Sequence, residues 1–148
     1  MKVLMLHGIN HNMFGKRDPA QYGTITLEEI NASLHALGKE LGAEVECFQT
    51  NSEREMCERI HQGYRDGVDA VLINAGAWTH YSRAIADAFA VDPVPAIEIH
   101  LSDVENREDW RKVSVFDGLV TDKVSGKGIE GYREALILMK DRLGISGD

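Results

Sequence analysis

The strongest constraint on this chain is the run at residues 69–74, Asp-Ala-Val-Leu-Ile-Asn, which has no polar face. A strand with one face in water alternates apolar and polar residues. A short, continuous apolar run bounded by turn residues predicts a strand covered on both sides, as in a parallel sheet. Residues 2–7, Lys-Val-Leu-Met-Leu-His, form a similar run at the N-terminus. It is read as a strand and not as a signal peptide, because no small-residue cleavage site follows it.

Between such runs the spacing changes to that of helices. Leu27, Ile30, Leu34, Leu37 and Leu41 repeat every three to four positions and predict a helix over 26–41. Thr26 with Glu29 makes a capping box at its start, and Gly42 supplies the stop. Residues 43–49 alternate as a strand, 53–65 form a helix ending near Gly67, 82–90 a third helix, and 94–100 a strand opened by Pro93 and Pro95. A weaker strand is predicted over 119–123 and a closing helix over 128–143, with Tyr132, Leu136, Met139 and Leu143 on one face. Strand–helix alternation over 148 residues predicts a single α/β domain spanning 1–148. Its architecture is a flavodoxin-like three-layer sandwich, a five-stranded parallel sheet in the order 2-1-3-4-5. Ligands of such sheets bind outside the carboxyl ends of the strands, at the switch in strand order. Residues 8–25 are the longest irregular stretch, and long loops in compact domains usually serve function.

Charge narrows the partners. With 24 acidic against 16 basic residues the formal charge is −8, a poor match for nucleic acid or an anionic membrane surface. No apolar run approaches the ~20 residues of a membrane span. Cys47 and Cys57 are too few for a disulfide framework or a zinc site and are read as free thiols of a cytoplasmic protein.

Unusual polar residues collect where strands end. Asn10, His11 and Asn12 follow the first strand, Asn74, Thr79 and His80 the third, and Glu98, His100 and Ser102 the fourth. Any one of these is explained by helix capping; three adjacent strand ends are not. Glu98 and His100 lie two apart, so they share a face of one strand. A carboxylate beside an imidazole favours the imidazolium and fixes its orientation, which prepares a general acid; the alternative is a surface ion pair on an edge strand. In the long loop, Arg17 precedes Tyr22, and a guanidinium near a phenol stabilises the phenolate as a base. The glycine pattern Gly126-Lys-Gly128-Ile-Glu-Gly131 matches a dinucleotide fingerprint, but it opens the last helix, so no βαβ unit can follow it. A tight strand-to-helix turn explains it better. A phospho-receiver lacks its acidic pair here, and a flavin carrier its hydroxyl-rich phosphate loop.

Taken in order, these segments match a known family. Gly8-Ile9-Asn10-His11-Asn12 with Gly15, Arg17-Asp18-Pro19 with Tyr22-Gly23, Asn74 through His80, Glu98-Ile99-His100-Leu101-Ser102, Arg107 to Arg111, and Ser125-Gly126 through Gly131-Tyr132 resemble the type II 3-dehydroquinate dehydratases over nearly the whole chain. The resemblance implies a cofactor-free, metal-free anti elimination of water through an enolate. It implies Tyr22 as base, Arg17 as the group that keeps Tyr22 ionised and closes the loop, and Asn12 as the holder of a water beside the enolate oxygen. It implies His100, oriented by Glu98, as the acid. Asn74, His80, Leu101, Ser102 and Arg111 would grip a small carboxylate substrate, and Asp87 would reach a neighbouring subunit's site in a homo-dodecamer of trimers. Bidentate pairing suits an Arg for a substrate carboxylate. The sequence departs from the family pattern at Ile9 (usually proline), His11 (usually leucine), Ala75 (usually proline) and residues 112–115, which lack a usual histidine pair. These departures leave open a paralogue acting on a related cyclic hydroxy-ketone acid, or a non-catalytic binding module.

Overall fold

A computed structural model describes residues 1–144 of the chain. Five strands, β1 (Lys2–His7), β2 (Glu44–Gln49), β3 (Ala70–Asn74), β4 (Ala96–His100) and β5 (Asp122–Ser125), form one parallel sheet in the order β2-β1-β3-β4-β5. The helices are α1 (Pro19–Tyr22), α2 (Leu27–Leu41), α3 (Glu53–Asp66), α4 (Arg83–Val91) and α5 (Ile129–Arg142). The predicted three-layer arrangement and strand order are both present.

Strand alternation divides the core in two. Val3, Met5, Ala70, Leu72, Ile97 and Ile99 point to one face and pack with Ile30, Leu34 and Leu37 of α2 and Tyr132, Leu136 and Met139 of α5. Leu4, Leu6, Val71, Ile73 and Ala96 point the other way, against Met56 and Ile60 of α3 and Ile85 and Phe89 of α4. Every residue of β3 is buried, as a two-sided apolar run requires. Capping follows the sequence: Thr26 and Ser52 accept from the N–H groups of Glu29 and Glu55, and Gly42 and Gly67 close α2 and α3 with left-handed backbones. Cys47 and Cys57 are free. No described helix is long and apolar enough to cross a membrane.

Three expectations shift. Strand β5 begins at Asp122, three residues beyond the predicted start. Leu119 and Val120 instead plug the core beside Phe116, whose carbonyl accepts from both of their N–H groups. The 8–25 loop is not wholly irregular: Asp18 caps a helical turn with Pro19 at its first position, a pairing that suits a helix start. The longer irregular connection is 101–121, which joins β4 to β5 through two 3-10 turns (Val104–Asn106 and Asp109–Lys112) and no α-helix. It lies over the carboxyl ends of the strands together with the 8–25 loop.

Candidate active site

The register of the sheet sets one wall of the site. His7 of β1 aligns with Asn74 of β3, and Ile73 with Glu98 of β4, so the ends of the three strands lie side by side. His100 extends β4 and pairs with Ser125. β4 is flanked on both sides, so the Glu98–His100 pair is not an edge-strand ion pair. Glu98 is fully buried and His100 nearly so. Glu98 Oε2 lies 2.5 Å from His100 Nε2, and Ser114 Oγ donates to the other carboxylate oxygen at 2.7 Å. Lys123 Nζ lies 3.7 Å from Oε2. Burial alone would raise the Glu98 carboxyl. The bonds from His100 and Ser114 and the nearby cations outweigh it and hold the carboxyl below its ordinary value.

The opposite wall is the 8–25 loop. Tyr22 is buried, and two guanidinium groups converge on its phenol oxygen: Arg17 Nη2 donates at 3.0 Å and Arg107 Nη1 at 2.7 Å. The Arg17 guanidinium also stacks 3.9 Å from the centre of the ring. Arg107 further donates to Ser102 Oγ at 3.1 Å, tying the 8–25 loop to the end of β4. Two cationic donors on one phenol oxygen stabilise negative charge there.

Between the walls is a cavity, lined among others by Asn10, His11, Arg17, Tyr22, His80 and His100. Asn74, Leu101, Ser102, Arg107 and Arg111 also face it. His80 Nδ1 bonds the Val113 carbonyl at 2.6 Å and its ring stacks on His100 at 6.2 Å, leaving Nε2 for a ligand. Burial, with the positive neighbours His100 and Arg111, depresses the His80 imidazole below its ordinary value. Arg111 is held by Glu108 and lies against Trp110. Asn74 bonds Tyr132 Oη through Nδ2 at 2.8 Å and accepts from the Gly76 N–H, so most of its polar capacity serves the scaffold.

Eight of the eleven residues singled out in the sequence line this cavity, and three do not. Glu98 stands behind His100, and Asp87 is exposed on α4, beside a separate groove that Arg83, Val115 and Leu119 also line. The third, Asn12, is not brought to the cavity. Asn10 has a left-handed backbone (φ 70°), the only described non-glycine residue with positive φ. The 3-10 turn His11–Met13 that follows buries His11 and turns Asn12 outward into solvent. Asn10, two residues earlier, lines the cavity in its place, and Asn tolerates that backbone better than most residues. No local pattern in the sequence marks Arg107 or Ser114 for these roles. Their partners are 85 and 16 residues away, and no local spacing signals such contacts.

Comparisons with known proteins give the family. The model of the class II dehydroquinases matches residues 1–140. The chain belongs to the class II dehydroquinase family. This chain is 54% identical to a 3-dehydroquinate dehydratase of Pelobacter propionicus, covering 96% of this chain and 95% of that one. It is 57% identical to a 3-dehydroquinate dehydratase of Syntrophotalea carbinolica, covering 92% of each. The crystal structure of the type II dehydroquinase of Propionibacterium acnes superposes with a TM-score of 0.90 at 41% identity, covering 95% of this chain and 96% of that one.

Proposed function

We propose that this protein dehydrates 3-dehydroquinate to 3-dehydroshikimate, a cofactor-free step of the shikimate or quinate pathway, with the chain acting as one catalytic domain. The Tyr22 phenolate takes the proton from the carbon next to the ketone, leaving an enolate. As the enolate collapses, the adjacent carbon–oxygen bond breaks and the His100 imidazolium delivers its proton to the departing hydroxyl, which leaves as water. The Tyr22 phenol then releases its proton to solvent and the neutral His100 takes one up from solvent, which restores both groups. The observation that supports this reading most is the opposition of the two groups: a phenol oxygen held by two guanidiniums on one wall, an imidazole held by a buried carboxylate on the other. An anti elimination needs base and acid on opposite faces of the substrate, and each group here is prepared for its proton.

Arg111 and Ser102 take the substrate carboxylate and hydroxyls, with the Nε2 of His80 as a further contact and Leu101 as an apolar wall. Asn10, and not Asn12, holds the water beside the enolate. Closure of the 8–25 loop excludes solvent and strengthens these interactions. The assembly we propose is a homo-dodecamer of trimers, with Asp87 of α4 reaching a neighbouring subunit's site, and light scattering on the purified protein measures its mass.

The chemistry is tested by following the ultraviolet absorbance of the conjugated enone. Wild-type protein should convert 3-dehydroquinate. Tyr22→Phe and His100→Ala should each lower kcat by at least about 10³-fold while the far-ultraviolet dichroism is unchanged. Full activity in either variant removes the assignment of base or acid. Stabilisation by 3-dehydroshikimate with no turnover would make the chain a binding module instead.

A further inference from the structure

We propose that His11 is a catalytic hydrogen-bond donor of this pocket, its Nε2–H contacting the substrate oxygen that carries the enolate charge. The inference rests on the dehydration reading above. It begins from a placement: His11 is 2% exposed, yet its ring lines the cavity. A polar ring in so buried a position needs an account of both its nitrogens.

The first nitrogen is settled by a main-chain group. The Gly8 N–H points at His11 Nδ1 at 3.1 Å, sharing its proton with the Asn74 carbonyl at 2.8 Å. An accepting Nδ1 places the ring hydrogen on Nε2. The ring cannot easily turn away. It stacks on Phe14 at 4.6 Å with 17° between planes, and meets His7 edge-on at 6.5 Å. Its Nε2 lies over Gly76, where an added Cβ would stand 3.1 Å away. Gly76 has positive φ as well, so both the turn and the ring need that glycine.

The second nitrogen has no protein partner among the described residues and, unlike His7 Nδ1, is not a fully buried atom, on a residue that lines the cavity. Burial keeps this imidazole well below its ordinary titration range, so it is a neutral donor. A neutral donor supports an anionic oxygen without protonating it, which suits an enolate better than an acid would. Several other donors of the pocket already have partners in the protein. Arg17 and Arg107 serve Tyr22, His100 serves Glu98, Arg111 is paired with Glu108, and Asn74 is bonded to Tyr132. His11 stands beside Asn10 as an uncommitted one on the floor of the site.

The experiment compares wild type with His11→Leu and His11→Gln, following enone absorbance with 3-dehydroquinate. The Leu variant leaves the Gly8 N–H its bond to Asn74, so no main-chain donor is orphaned. Expected is a kcat about 10- to 100-fold lower for His11→Leu, with KM within about three-fold, and recovery of most of that loss in His11→Gln, whose amide donates from a similar reach. A Leu variant with kcat within about two-fold of wild type, or a Gln variant no better than Leu, overturns the proposal. Both comparisons presuppose turnover by the wild type, so a wild type without turnover overturns the dehydration reading itself and this proposal with it. Should the Leu chain fail to fold, the wild type decides: saturation with 3-dehydroshikimate should move the proton resonance of His11 Nε2–H downfield in a ¹⁵N-resolved spectrum. An unmoved resonance rejects the contact.

Discussion

The two walls of the pocket are built in opposite ways. The β4 wall is fixed by the sheet ladder. Glu98 and His100 are held at a two-residue spacing, on a strand bonded to neighbours on both sides, and Ser114 closes the far carboxylate oxygen. The flap wall has no ladder. Tyr22 ends a four-residue helical turn, and its oxygen is held only by side chains, one of them from the distant 101–121 connection. The acid side is preorganised by backbone register, whereas the base side is assembled from side-chain contacts between separate loops. An enzyme that must admit a polar substrate and then exclude water benefits from one fixed wall and one movable one.

The contrast is broken most severely at the fixed wall. Glu98→Gln removes a fully buried charge that faces His100, Ser114 and Lys123. Breaking a buried pair at one partner typically costs about 3–5 kcal/mol. We expect kcat to fall by about 10³-fold and urea denaturation to report a stability loss of a few kcal/mol. A variant that lost activity alone would mean that this wall does not depend on the pair for its rigidity.

The floor beneath both walls responds to acid. His7 is fully buried, with Nε2 2.7 Å from Asn31 Oδ1 and Nδ1 without a partner, and burial pushes its imidazole down to about 4 against the small opposing effect of the Asn31 bond. Above pH 6.5 the ring is neutral in both folded and unfolded chains. As pH falls from about 6.5 to about 4 the unfolded chain takes up the proton first, so folding stability falls over that window, by roughly 3 kcal/mol from this residue. His7→Asn should flatten that part of the stability profile in urea titrations run from pH 7 to 4.

At the movable wall the effect should be smaller and confined to the reaction. Arg107→Met removes one of two donors to Tyr22 and the tie to Ser102. We expect kcat to fall by about 10- to 100-fold with Tm within a few degrees of wild type, because Arg107 belongs to no strand or helix core. An equal loss of stability would place the flap among the fixed parts of the molecule. The smallest change is expected for Asn12→Ala, at an exposed position outside the cavity: kcat within about two-fold of wild type and stability within about 0.5 kcal/mol. A large loss at Asn12 would mean that the flap closes far enough to bring that side chain inward.

Much of the molecule was legible in the residue pattern because the relevant interactions are local. A two-sided apolar run gave β3, period-3.6 spacing gave α2 and α5, and Thr26, Gly42 and Gly67 marked helix ends through bonds within four residues. Glu98 and His100 were visible as a pair for the same reason, since strand geometry alone puts them on one face. The tertiary structure alone decided which asparagine meets the cavity. Asn10 and Asn12 have the same chemistry and differ only by the turn between them. It alone brought Arg107 across 85 residues to Tyr22 and Ser114 to Glu98. It also took Leu119 and Val120 out of the last strand to fill space beside Phe116. Local periodicity records which face of an element is buried; it carries no record of which irregular segments meet, because those contacts depend on where the finished sheet sets the ends of its loops.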